Sequence, residues 1–138
     1  MFIVEHSCED NREAQWSTAP PGGGAASPRG QALAALRASC LLDRFYSWKG
    51  ISEERYVCSI FSLEEEAIVA GFAQVVVIGV VRDARGRRPV CVLSSRHFKS
   101  EQGRMIRFEA RALGVNEWHV RFGSSDDALR DLADSLLN

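Results

Sequence analysis

The chain has no CxxC pair, no glycine-rich phosphate loop, no metal knuckle and no recognisable catalytic triad. Its four cysteines, Cys8, Cys40, Cys58 and Cys91, lie far apart. That spacing argues against a zinc knuckle, and the apolar surroundings of several of them suit reduced core thiols better than a disulfide framework. Long hydrophobic runs are also missing. The longest, Ala67 to Val81, is 15 residues interrupted by Gln74 and two glycines, short of the roughly 20 a membrane helix needs. The N-terminal MFIVEHSCEDNRE carries acids where a secretory signal needs a basic head. The expectation is a cytoplasmic protein with no membrane segment, no metal site and no cofactor.

What is present is an ordinary globular composition: 138 residues, 46% hydrophobic, enough for one domain with a real core. The organising stretch is Gln74 to Phe98. Val75 to Val81 is continuously apolar and mostly β-branched, the pattern of a strand covered on both faces. Pro89 to Leu93 reads as its hairpin partner, with the six residues DARGRR as the turn.

Around this hairpin the sequence predicts the following. Residues 1–27, ending in TAPPGGGAASP, read as a flexible, disordered N-terminal tail, and 28–138 as a single α/β domain. Ser27-Pro28 predicts a helix start, with Leu33, Leu36, Cys40 and Leu41 on one face as far as Arg44. Phe45, Tyr46 and Trp48 then close the core margin, with base stacking as the alternative. Arg55 to Phe61 predicts a strand. Ser62 with Glu65 is a capping box for a short helix, and the glutamates at 64–66 suit its positive end. Ser100 predicts a helix to about Leu113, with Met105, Ile106, Phe108, Ala112 and Leu113 inward. Glu117 to Phe122 alternates as a strand, Trp118, Val120 and Phe122 on one face and His119 and Arg121 on the other. Ser124 with Asp127 opens a last helix.

The expected fold is therefore α/β, a mixed four-stranded sheet with helices on both faces, in the order helix-strand-short helix-strand-strand-helix-strand-helix. The turn makes strands two and three antiparallel, and the helical connection permits strands three and four to run parallel. From 28 to 122 this order resembles the core of restriction-endonuclease-like nucleases. The resemblance implies an acid near the second strand and a Glu-x-Lys-type pair on the third to hold a divalent metal. Here Val75 to Val81 has no acid, Asp83 comes only at its end, and Val90 to Ser94 has no carboxylate. The chemistry of that family is not carried over.

Charge is divided along the chain. Residues 1–81 hold 6 Lys/Arg against 10 Asp/Glu, 82–111 hold 9 against 3, and 112–138 hold 2 against 5. The middle block contains Arg82, Arg85, Arg87, Arg88, Arg96 and Lys99, and then Arg104, Arg107 and Arg111 at helical spacing. On one face these would bind RNA, DNA or an acidic protein surface. Ser94, Ser95 and His97, between a strand end and a helix start, form a candidate anion or ligand pocket, with Arg96 among them. Cys58, Cys91 and His119 lack the short spacings of zinc ligands. The sequence thus points to a small non-catalytic regulatory or adaptor-type binding protein. The alternative is a small phosphodiesterase or metal-independent ribonuclease using His97.

Overall fold

The structure, a computed structural model, describes residues 14–16, 26–33, 44–123 and 126–137. Its centre is the hairpin of β5 (Val75–Asp83) and β6 (Gly86–Ser94), in which Val75 to Val81 are all buried. The turn is tighter than the sequence suggested. Asp83 pairs with Gly86, Arg82 with Arg87 and Val81 with Arg88, so only Ala84 and Arg85 are loop, and Arg87 and Arg88 are strand residues. The Asp83 carboxylate accepts the Arg85 N–H at 2.9 Å, and Gly86 takes φ +127°, a conformation that glycine adopts without a Cβ penalty.

A bulge follows. Gly79 faces Cys91 but Val80 faces Pro89, so Val90 is the extra residue. Val90 and Cys91 consequently enter the same core, and Pro89 sits at the irregularity, where its missing donor is tolerated.

Five further strands extend the sheet: β1 (Ala14–Trp16), β2 (Gly30–Ala32), β3 (Phe45–Lys49), β4 (Arg55–Ser62) and β7 (Glu117–Phe122). The order is β1-β6-β5-β7-β4-β3-β2, seven strands, and every ladder among the described residues is antiparallel. This corrects the mixed four-stranded sheet. β6 and β7 do point the same way, as the helical crossover implied, but β5 lies between them and pairs with each.

Two other expectations need correction. Ser27-Pro28 opens a turn instead of a helix: Ser27 Oγ accepts the Arg29 N–H at 3.2 Å, and Gly30 begins β2. The predicted helical face survives only as a proposal for residues 34–43, which lie outside the described residues. The aromatic run FYSWK, expected only to close the core margin, is a strand, β3, paired with β4 from Phe45↔Ser59 to Lys49↔Arg55, and Tyr46 and Trp48 are buried in the core as that reading expected. Of the N-terminal tail, residues 14–16 form an edge strand on β6, and the remaining described part leads into β2. The described start of that segment is turn and strand and the sheet is antiparallel in every described ladder, so the order from which the nuclease-like resemblance was read differs from the one observed.

Helices cover both faces of the sheet. On one lie α1 (Glu66–Ala70), preceded by a 3-10 turn at Leu63–Glu65, α2 (Ser95–Phe98) and α3 (Glu101–Ala112). Val69, Phe98, Ile106 and Ala110 pack there with Val75, Val77, Cys91, Leu93, Trp118 and Val120. On the other, α4 (Asp126–Leu136) buries Ala128, Leu129, Leu132, Ala133 and Leu136 against Tyr46, Trp48, Tyr56, Cys58, Ile60, Val76, Ile78 and Val92. The period of two along each strand sorts the apolar side chains into these two layers. Among the described residues, no helix is long and apolar enough to cross a membrane.

Candidate functional surface

The nine basic residues of the central block do not share one face. Arg85 in the turn and Arg96 after β6 stand at opposite ends of that strand, whose nine residues span roughly 25–30 Å at about 3.3 Å each. Arg87 and Arg88 are only 8% exposed and, as neighbours in a strand, point to opposite faces. Arg88 pairs with Val81 on the α3 side, and its Nη2 is buried with no hydrogen-bond partner among the described residues.

Arg87 belongs to a buried polar chain on the α4 side. Its Nε donates to Glu117 Oε1 at 2.8 Å, its guanidinium lies 4.8 Å over the Tyr46 ring, and Arg82 approaches the other Glu117 oxygen at 3.5 Å. His119 Nε2 meets Glu117 Oε1 at 2.9 Å, and Trp48 Nε1 donates to His119 Nδ1 at 3.0 Å. Indole N–H can only donate, so Nδ1 accepts and the proton sits on Nε2, donated to Glu117. Burial, the largest influence, pushes His119 below its usual 6.5, against the opposing pull of Glu117. Burial would raise Glu117, but hydrogen bonds from His119 and Arg87 bring it down to about 2. Both ring nitrogens of His119 are thus engaged, and the chain cross-links β3, β6 and β7. This arrangement braces the sheet from within.

Ser94 and Ser95 are half-buried, whereas His97 lies inside. Ser94 Oγ caps α2 by accepting the His97 N–H at 3.1 Å, and His97 is 3% exposed. Cys58 and Cys91 lie on opposite sides of the sheet, each with a thiol pushed up to about 12 by burial. No cluster of three metal-binding side chains occurs among the described residues.

The arginine stripe on α3 is divided in the same way. Arg107 Nη1 donates to Glu66 Oε2 at 3.1 Å and its guanidinium lies 4.7 Å over the Phe98 ring. Arg111 Nη1 donates to Glu66 Oε1 at 2.6 Å, and Trp118 Nε1 donates to the same oxygen at 3.0 Å. Glu66, one of three glutamates assigned from sequence to the helix start, does open α1 and is also the hub that joins it to α3 and β7. Arg104 stands exposed and makes no ion pair among the described residues.

The apolar face of α3 also departs from expectation. Its buried residues are Gly103, Ile106 and Ala110, whereas Met105 is 64% and Phe108 67% exposed. A Cβ on Gly103 would collide with the carbonyls of His97 and Phe98. The helix therefore docks through its small residues and turns its two largest apolar side chains outward. They line an open groove of about 440 Å³ with Glu66, Arg104, Glu109 and Arg111. The i, i+3, i+7 pattern of Gly103, Ile106 and Ala110 was the available signal, masked by the greater hydrophobicity of Met105 and Phe108. Comparison with known proteins gives no significant match to a family, to a curated protein or to a solved structure.

Proposed function

We propose that this chain is a non-catalytic binding module whose contact surface is the outer face of α3 and whose partner is an acidic protein. The observation that carries this reading is the outward placement of Met105 and Phe108 beside the exposed Arg104. Large apolar side chains grouped with arginine are what anchor protein interfaces.

The same geometry favours protein over nucleic acid. Phosphate-backbone binding draws on several free cations on one side. Here Arg87 and Arg88 are buried, Glu66 neutralises part of Arg107 and Arg111, and Glu101 and Glu109 lie on the same helix. The burial of His97 and the full engagement of His119 weigh against the ribonuclease alternative.

The test is a titration followed by backbone amide NMR, with an acidic peptide rich in Glu and Leu in one arm and duplex DNA in the other. The expected result is peptide-induced shifts concentrated in residues 101–112, with weaker and more scattered DNA shifts. Tighter DNA binding centred on Arg85 and Arg96 would overturn the proposal.

A further inference from the structure

We infer that the partner segment is an acidic amphipathic helix, laid along α3 as the second helix of a pair. This rests on the binding-module reading above and names what that surface accepts. The outermost residues of α3 are Glu101, Met105, Phe108 and Ala112, all exposed. Their spacing of four, three and four is that of one seam of a two-helix contact. A helix side offers no unpaired backbone N–H or C=O, so an extended peptide has nothing to pair with here. Recognition must run through side chains, which is how a helix is read.

The charges specify the partner further. Arg104 and Arg111 lie seven residues apart on one flank of the seam, about 10.5 Å along the axis at 1.5 Å per residue. Arg104 makes no ion pair among the described residues, and Arg111 shares its charge with Glu66. Acidic side chains one heptad apart on the incoming helix match that interval. Glu109, on the opposite flank, favours a neutral or basic residue there and so fixes register. The twelve residues of α3 are about 18 Å long, which accommodates three turns of partner helix. A second copy paired antiparallel about a twofold axis would set the Arg104 and Arg111 flanks of the two chains side by side, like charge against like.

The experiment uses the full chain and synthetic fluorescent peptides, read by anisotropy and circular dichroism. One peptide carries leucines at a and d with glutamates one heptad apart. The second is the same with two central prolines, and the third replaces the glutamates by lysines. The expected result is binding of the first alone, with helicity gained on mixing and roughly tenfold weaker binding to Phe108→Ala and to Arg104→Glu. Equal binding of the proline peptide would overturn the helix and leave the acidic-partner reading standing. Failure of all three, or binding of the first unaffected by both substitutions, would overturn both. Self-association of the free chain that is lost in Phe108→Ala would assign the surface to a second copy and overturn the inference.

Discussion

Trp48 Nε1 donates to His119 Nδ1 at 3.0 Å, and both side chains are 0% exposed. The bond joins β3 to β7 across β4 and fixes the tautomer that His119 presents to Glu117. A second proton on His119 would set two donors against each other in a buried site that also contains the Arg87 cation, where no compensation is at hand.

Stability should therefore fall on acidification in two stages. His119 and Glu117 both have lower pKa values folded than unfolded, so the unfolded chain takes up each proton first and gains on the folded one as pH drops. The His119 contribution is complete above its unfolded value of 6.5 and is lost below it. The Glu117 contribution is complete above 4.5 and is lost as pH falls toward about 2. Urea midpoints from pH 8 to pH 2 measure both stages. His119→Gln should lower stability at pH 8 and flatten the limb below 6.5; the same slope in both proteins between pH 7 and 5.5 would contradict it.

Gly103→Ala offers a test of how α3 is seated. In an open helix the change is stabilising by about 0.5–1 kcal/mol. Here the added methyl meets the backbone carbonyls of His97 and Phe98, which cannot rotate aside as a side chain could. The expected outcome is a loss of about 1–3 kcal/mol, read as a lower urea midpoint with an unchanged denaturant slope. A gain in stability would mean that α3 stands off from α2.

Asp131 ties α4 to the β3–β4 turn. Its carboxylate accepts the Ser52 N–H at 2.9 Å and the Tyr56 hydroxyl, also at 2.9 Å. Burial would raise its pKa, but these bonds hold it below the usual carboxylate range, while burial and the same contact push Tyr56 up to about 12. Asp131→Leu keeps approximate bulk and removes both carboxylate acceptors, leaving only the backbone carbonyl that accepts the Ile51 N–H. It should cost about 1–3 kcal/mol in thermal or urea unfolding and shift the tyrosine ultraviolet titration of Tyr56 toward ordinary pH.

The strands at 55–62, 75–83, 86–94 and 117–122 were legible because their apolar period is two, or absent where both faces are covered. β3 was not, because FYSWK follows a segment of helical periodicity and its pairing with β4 is a contact the local sequence does not contain. The antiparallel pairing of every described ladder was hidden for a similar reason: direction follows from connection length, but adjacency depends on where β7 inserts. The arginine block is divided by its partners. Spacing shows that Arg104, Arg107 and Arg111 share a helix side, yet only the approach of Glu66 from α1 decides which of them stays free. For Met105 and Phe108, hydrophobicity argued inward, whereas close docking through Gly103 and Ala110 decided outward.

Glu66→Gln separates the structural work of the α3 arginines from their availability. The carboxylate holds Arg107, Arg111 and the Trp118 indole, with side-chain exposures of 15% for Glu66, 12% for Arg107 and 38% for Arg111. Glutamine keeps one acceptor for the indole but removes the charge that both guanidinium groups face. Losing charge-assisted bonds at a largely buried hub should cost about 1.5–3 kcal/mol of stability. The same change leaves an additional net positive charge on the groove beside Met105 and Phe108. An acidic peptide should then bind about threefold tighter, the equivalent of roughly 0.7 kcal/mol for one partly solvated charge pair, and its affinity should fall more steeply with salt. Anisotropy titrations at two salt concentrations, on protein shown to be folded by circular dichroism, measure both effects. Weaker binding at unchanged fold would mean that Glu66 positions the arginines for the partner instead of competing with it.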